Sequence, residues 1–184
     1  MASDISRGRL EPSKDSVGGL NAVYFVNKDA ITLTNVTYDT TDTDVIDSVG
    51  TSVPAFKYDI KGTSTFTENI QSSRDNGTTS FEQVTELTLT KLTKEDHKTV
   101  KLLSYGSPTL LIEDNNGNVF IAGLEHGCDV TGGTIVSGGG MNDLSGYTLS
   151  LSGMERVPAN FIASNASGVA AALAAVGFTV TVGS

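Results

Sequence analysis

Apolar and polar positions alternate along much of this chain with a period of two. That spacing puts one face of a strand in a core and the other in water. The cleanest run sets Tyr147, Leu149 and Leu151 against Thr148, Ser150 and Ser152. Leu20–Val26 is instead a compact apolar run, which reads as a buried strand. Ile31, Leu33 and Asn35 alternate with Thr32, Thr34 and Val36, and Asn27-Lys28-Asp29 is turn chemistry, so this stretch predicts a hairpin. Further strands are predicted at Val53–Ile60, Thr63–Gln71 and Phe81–Leu92. Gly62 separates the first two, and the polar loop 72–79 with its Asn76-Gly77 turn signal precedes the third. Thr109–Glu113 and Asn118–Leu124 flank Asp114-Asn115-Asn116-Gly117, a strong hairpin signal. Within the second of these, Val119-Phe120-Ile121-Ala122 is apolar on both faces and is expected at the centre of a sheet. Met154–Ile162 continues extended, with Pro158 placing it at an edge.

One helix stands out, at about 94–105. Thr93 is placed to cap it, Glu95 and Asp96 sit in the first turn where the helix dipole favours anions, and Lys98 and Lys101 come later. Val100 and Leu103 share a face, and Gly106 and Pro108 end the helix. At about three turns it must pack on a sheet. The rest divides into an N-terminal arm (1–19), a β-domain (20–162) and an Ala/Val-rich C-terminal extension (163–184). In the extension, 164–168 reads as a linker, Val169–Val176 fits a short helix and Phe178–Val182 a small strand. The extension is expected to pack on a neighbour or to belong to another small module.

Composition narrows the class. A domain of 184 residues buries roughly 70% of its unfolded surface and needs no disulfide or metal staple. The net charge is −9 and the isoelectric point about 4.5. That argues against gripping nucleic acid through its phosphates, yet suits a surface past which a polyanion slides. No apolar run approaches a membrane span. The N-terminus carries no signal-peptide h-region, and the single cysteine fits a reducing cytoplasm.

The candidate sites are few, and no cofactor or metal is expected. Asp114 to Glu125 has oxygen ligands at the first, third, fifth and twelfth places of a calcium loop, but Val119 stands where glycine is needed. A hairpin turn explains it better. Asp39, Asp42, Asp44 and Asp47 form an acidic loop (38–52, or a mobile hairpin) that faces a lumen or a partner rather than a metal ion. Arg74, Asp75 and Asn76 form a candidate inter-subunit loop. Gly132–Gly140 lacks the Lys-Ser/Thr of a phosphate-binding loop. In His126-Gly127-Cys128-Asp129, an extended backbone puts His126 and Cys128 on one face and Asp129 on the other, so no third group orients a nucleophile. No catalytic residues are assigned, and an enzyme is not expected.

A set of structural motifs carries a resemblance: Gly62-Thr63-Ser64-Thr65-Phe66-Thr67-Glu68-Asn69-Ile70, Phe81-Glu82-Gln83-Val84, the lone capped helix, Asn116-Gly117-Asn118, Ala122-Gly123, Ser145-Gly146-Tyr147-Thr148-Leu149 and Gly153–Phe161. Over a little more than half the chain this resembles the tail tube proteins of tailed bacteriophages, especially those of Bacteroidetes hosts. The resemblance implies an antiparallel β-sandwich or barrel with one flanking helix. It implies six copies closing into a ring, and rings stacking into a tube that passes DNA without reading its sequence. The partners it implies are further copies of the chain and other tail proteins, in a virion made in the bacterial cytoplasm, with no membrane. Other expectations with the same composition are a head–tail connector, a tail terminator, a capsid decoration protein or a ligand-binding β-sandwich; for the last, the lack of tryptophan removes the usual aromatic platform.

Overall fold

The structure, a computed structural model, describes residues 8–11, 13–50, 52–60, 63–163 and 167–183. Residues 1–7 and 12 of the arm (1–19), Gly62 and residues 164–166 of the 164–168 linker therefore lie outside the described residues. The period-two segments become strands in two sheets. The larger contains β1 (Leu20–Val26), β2 (Thr37–Tyr38), β3 (Val45–Ser48), β4 (Val53–Asp59), β7 (Thr109–Asp114), β8 (Val119–Ala122), β11 (Asn160–Ile162) and β12 (Phe178–Val182), in the order β12-β4-β1-β7-β8-β11-β3-β2. The smaller contains β5 (Thr65–Ser73), β6 (Thr78–Thr90), β9 (Asp129–Val136) and β10 (Gly146–Glu155), in the order β5-β6-β10-β9. Two helices complete the fold, α1 (Lys94–Leu103) and α2 (Val169–Val176). The architecture is mainly β and sandwich-like, and the larger sheet does not close into a barrel.

Two cores hold these layers. Between the sheets, Val23, Phe25, Leu110 and Ile112 meet Leu87, Leu89, Tyr147, Leu149 and Leu151, with Val100 and Leu103 of α1 packed alongside. The alternation Tyr147, Leu149, Leu151 is thus the buried face of β10, as its pattern predicts. On the far side of the larger sheet, Tyr24, Val26, Leu111 and Ile121 meet Leu173 and Val176 of α2 and Phe178 of β12. Residues of β1 and β7 alternate between the two cores, which is why Leu20–Val26 lacks a polar face.

Several expectations are corrected. Ile31–Val36 is not a strand; Lys28–Ala30 and Leu33–Asn35 are single 3-10 turns, and β1 pairs with β4 and β7 instead of a hairpin partner. Of the alternating residues, Ile31 is buried in a core and Val36 packs partly buried against it, while Leu33 is 48% exposed. Pro158 lies in the turn that carries the chain from β10 in the smaller sheet to β11 in the larger, and β11 is interior, between β8 and β3.

The largest correction concerns residues 163–184. Their described part, 163 and 167–183, packs on the β-domain of the same chain: α2 buries Ala172, Leu173 and Val176, and β12 pairs in parallel with β4 from Val53 to Lys57. An alanine-rich segment of eight residues is too short to be helical alone, so its docking supplies its stability. Gly177 joins helix to strand with φ at +113°, and a β-carbon there would run into the carbonyl oxygen of Gly50. Val49 N–H donates to Val176 O at 3.0 Å and Val53 N–H to Gly177 O at 2.9 Å, so the β3–β4 connection is clamped to this corner.

Candidate functional site

The smaller sheet offers the largest uncommitted hydrogen-bonding surface. Its four strands alternate in direction, and among the described residues neither β5 nor β9 has a strand on its outer side. Free edges of nine and eight residues present rows of unpaired N–H and C=O groups, which monomeric proteins usually guard with lysine, proline or short strands. Neither strand contains Lys, Arg or Pro. In the larger sheet the edges are short: two residues in β2 and five in β12.

The number of strands sets what these edges fit. In an even, alternating sheet the two outer strands run in opposite directions. Identical copies set side by side therefore bring β9 of one against β5 of the next in antiparallel orientation, and the ladder continues without reversal. The hydrophobic residues at the edges are exposed: Ile70 on β5 at 71% and Ile135 on β9 at 54%.

The two faces of this sheet differ in chemistry. Gln83, Thr85, Leu87 and Leu89 of β6 turn towards the core, with Tyr147, Leu149 and Leu151. The opposite face carries Thr65, Thr67, Asn69 and Gln71 of β5, Ser80, Glu82, Val84, Glu86 and Thr88 of β6, and Thr148, Ser150 and Ser152 of β10. Cross-strand bonds order it: Gln71 Nε2 donates to Glu82 Oε2 at 3.1 Å, and the Thr134 and Thr148 hydroxyls lie 2.6 Å apart. None of the four strands contains a lysine or arginine. A buried polar latch aligns the inner face: Gln83 Nε2 donates to Glu68 Oε1 at 3.0 Å, and its Oε1 accepts from Gly123 N–H at 2.9 Å.

The residues singled out from the sequence fall elsewhere. Asp39, Asp42, Asp44 and Asp47 belong to the β2–β3 hairpin at the edge of the larger sheet. Asp39 Oδ1 accepts from Thr41 N–H at 2.6 Å and Asp42 N–H at 3.1 Å, and these bonds hold its carboxyl below the ordinary carboxylate range. Asp42 likewise accepts from Asp44 N–H at 3.1 Å. Asp44 is tied through its carbonyl to Phe161 N–H, and Asp47 is exposed on β3. The Asp39 and Asp42 carboxylates shape the turn, and the four do not gather into a cluster. Arg74, Asp75 and Asn76 form the exposed tip of the β5–β6 hairpin, closed by Gly77 N–H to Arg74 O at 3.3 Å. They therefore flank one of the free edges.

The remaining candidates resolve into turns. Asp114 Oδ1 accepts from the N–H groups of Asn116 and Asn118 at 2.9 and 2.7 Å. Partial burial raises its pKa, and the bonds from Asn118 and Asn116 outweigh that and lower it. This is the β7–β8 hairpin turn, and Glu125 pairs instead with Arg156 at 2.9 Å. In the glycine-rich stretch, Gly139 and Gly140 donate to Asp143 Oδ2 at 3.0 and 2.6 Å, so the amides a phosphate would use hold the chain's own carboxylate. The His126–Asp129 segment is not extended at its centre: Gly127 has φ at +84°. Cys128 is buried, and burial, with the Glu155 and Asp129 charges, pushes its thiol up to about 12. His126 stays exposed and meets Glu155, 29 residues away, rather than the cysteine.

Comparison with known proteins leaves the fold to stand alone. No family model, no curated protein and no solved structure matches this chain significantly. Among the described residues, no helix is long and apolar enough to cross a membrane. Sequence reading missed the sheet edges, because β9 (DVTGGTIV) alternates weakly through its paired glycines. The signal that was available is the absence of every basic residue from its four strands.

Proposed function

We propose that this chain is a structural subunit whose copies join through the edges of the four-stranded sheet into a closed ring, and that such rings stack as the tail tube of a tailed bacteriophage. The observation that carries the reading is the pair of long, unguarded edges, β5 and β9, on opposite sides of one alternating sheet. An interface between two different patches of the same chain gives a ring when its rotation closes. Six copies is the number the resemblance implies. The face without basic residues, bearing Glu82 and Glu86, then lines the bore. An acidic wall keeps a polyanion from sticking, so DNA passes without sequence recognition.

Ile70→Lys and Ile135→Lys test it. Each places a charge on one free edge at an exposed position, where monomer stability should change by no more than about 0.5 kcal/mol. The parent chain, concentrated or supplied with tail initiator proteins, is expected to give rings and tubes by negative-stain microscopy and a mass well above the monomer. Either variant should stay folded and monomeric. A parent chain that remains monomeric under both conditions, or variants that assemble as well as the parent, would overturn the proposal.

A further inference from the structure

The loop between β8 and β9 gathers a second set of groups. Gly123 and Gly127 both take positive φ, and Gly127 N–H donates to Gly123 O at 3.1 Å. A β-carbon at Gly123 would collide with the Gly127–Cys128 backbone, so the tight turn depends on glycine there. The turn delivers Glu125 and His126 to the end of β10, where Glu155 is only 4% exposed. Glu155 Oε1 accepts from both backbone N–H groups, Glu125 at 3.0 Å and His126 at 2.8 Å, which fixes the carboxylate. Its other oxygen faces His126 Nδ1 at 3.4 Å.

At 3.4 Å the pair makes a long hydrogen bond, where a charge-assisted one usually runs about 2.7–2.9 Å, and the spacing also suits a shared ion. Two donors on one tetrahedral ion, each about 2.0–2.1 Å from it, stand about 3.3–3.4 Å apart. A carboxylate oxygen of Glu125 completes a group of three whose ligand atoms all lie within 4.8 Å of one another, the only such group among the described residues. Arg156 Nε occupies Glu125 Oε2 at 2.9 Å, leaving its second oxygen. A buried carboxylate calls for positive charge, yet among the described residues no lysine or arginine pairs with Glu155, and Lys28 Nζ is spent on Leu124 O at 3.0 Å.

We propose that Glu125, His126 and Glu155 bind a divalent cation of the zinc class. One imidazole nitrogen with two carboxylate oxygens suits zinc and its neighbours, whereas calcium takes oxygen ligands alone. Three protein ligands leave the fourth position to water. The ion would pin the β8–β9 turn to β10 and neutralise Glu155. This site stands whether or not the chain forms rings.

The test uses the full chain and Zn²⁺ alone, by titration calorimetry, with Co²⁺ absorption as a report on geometry. One equivalent should bind saturably and raise the melting temperature, and Co²⁺ should give the intense visible bands of four-coordinate cobalt. His126→Ala and Glu125→Gln alter side chains that are 58% and 31% exposed, so the fold should persist, as circular dichroism will check. Both should lose saturable binding and the thermal shift, and Ca²⁺ should fail to compete. No saturable binding to the parent, or undiminished binding in both variants, overturns the site; the second outcome would move the ion elsewhere, such as the Asp39–Asp47 turn.

Discussion

At the scale of single residues, Cys128 shows how surroundings override residue type. A thiol beside a histidine in the sequence is a nucleophile pattern, but here the side chain is 1% exposed and sits against Gly123 and Gly153. Burial, then the charges of Glu155 and Asp129, raises its pKa from 9.0 to about 12. The reactive thiolate is therefore scarce at neutral pH. Iodoacetamide should label the native protein at well under a hundredth of the rate seen in denaturant, with labelling followed by intact mass. The sign of the linkage adds a second reading. A raised pKa contributes stability that is present below the ordinary thiol value and is lost as pH rises towards 12. Denaturant midpoints should fall through that alkaline window, and Cys128→Ala should lessen the fall. Rapid native labelling would show that the β8–β9 turn opens. Asp114, by contrast, was legible from its neighbours alone: Asn-Asn-Gly after an aspartate specifies a turn, and the bonds to the Asp114 carboxylate are all local.

At the scale of elements, the corner made by α2 and β12 carries more of the fold than its composition indicates. Leu173 is fully buried against the larger sheet, with Val176 and Phe178 beside it. Leu173→Ala should cost about 2–5 kcal/mol, measured by urea denaturation, whereas an independent extension would leave the β-domain's midpoint unchanged. The periodicity of β6, β10 and the β7–β8 hairpin, and the cap of α1, could be read directly, because local pattern and tertiary burial agree there. Thr93 Oγ1 accepts from Asp96 N–H at 3.0 Å as its position predicts. Residues 28–36 could not be read so. Their alternation is genuine, but the neighbours β1 needs lie at residues 55–59 and 109–114, distant in sequence. Nor was the joining of 169–182 to the core visible. A parallel pairing with β4 leaves no hairpin signal, and an alanine-rich run looks alike whether it is docked or free.

At the scale of the whole molecule, both sheets are acidic, and only the larger holds a basic side chain. The four strands of the smaller sheet carry Glu68, Glu82, Glu86, Asp129 and Glu155 and no basic side chain, while the larger sheet sets Lys57 among Asp47, Asp59, Glu113 and Asp114. In the proposed ring this matters only for the face that looks into the bore, where Glu82 and Glu86 stand on one side of β6. The double variant Glu82→Lys and Glu86→Lys reverses that field from the interior strand β6, at the loss of the Gln71–Glu82 bond to β5. Assembled rings of the variant should hold linear duplex DNA. The binding should weaken steeply between about 50 and 200 mM salt, since each neutralised phosphate steepens the salt dependence by about one power. Rings of the parent should hold none. Topology separates a bore from an outer surface: a linear duplex can thread a closed ring, and a covalently closed circle cannot. Gel shifts should therefore show retention of the linear form and release of the circle. Equal retention of both would place Glu82 and Glu86 on the outside, and the edges of β5 and β9 would then have to curl the sheet the other way.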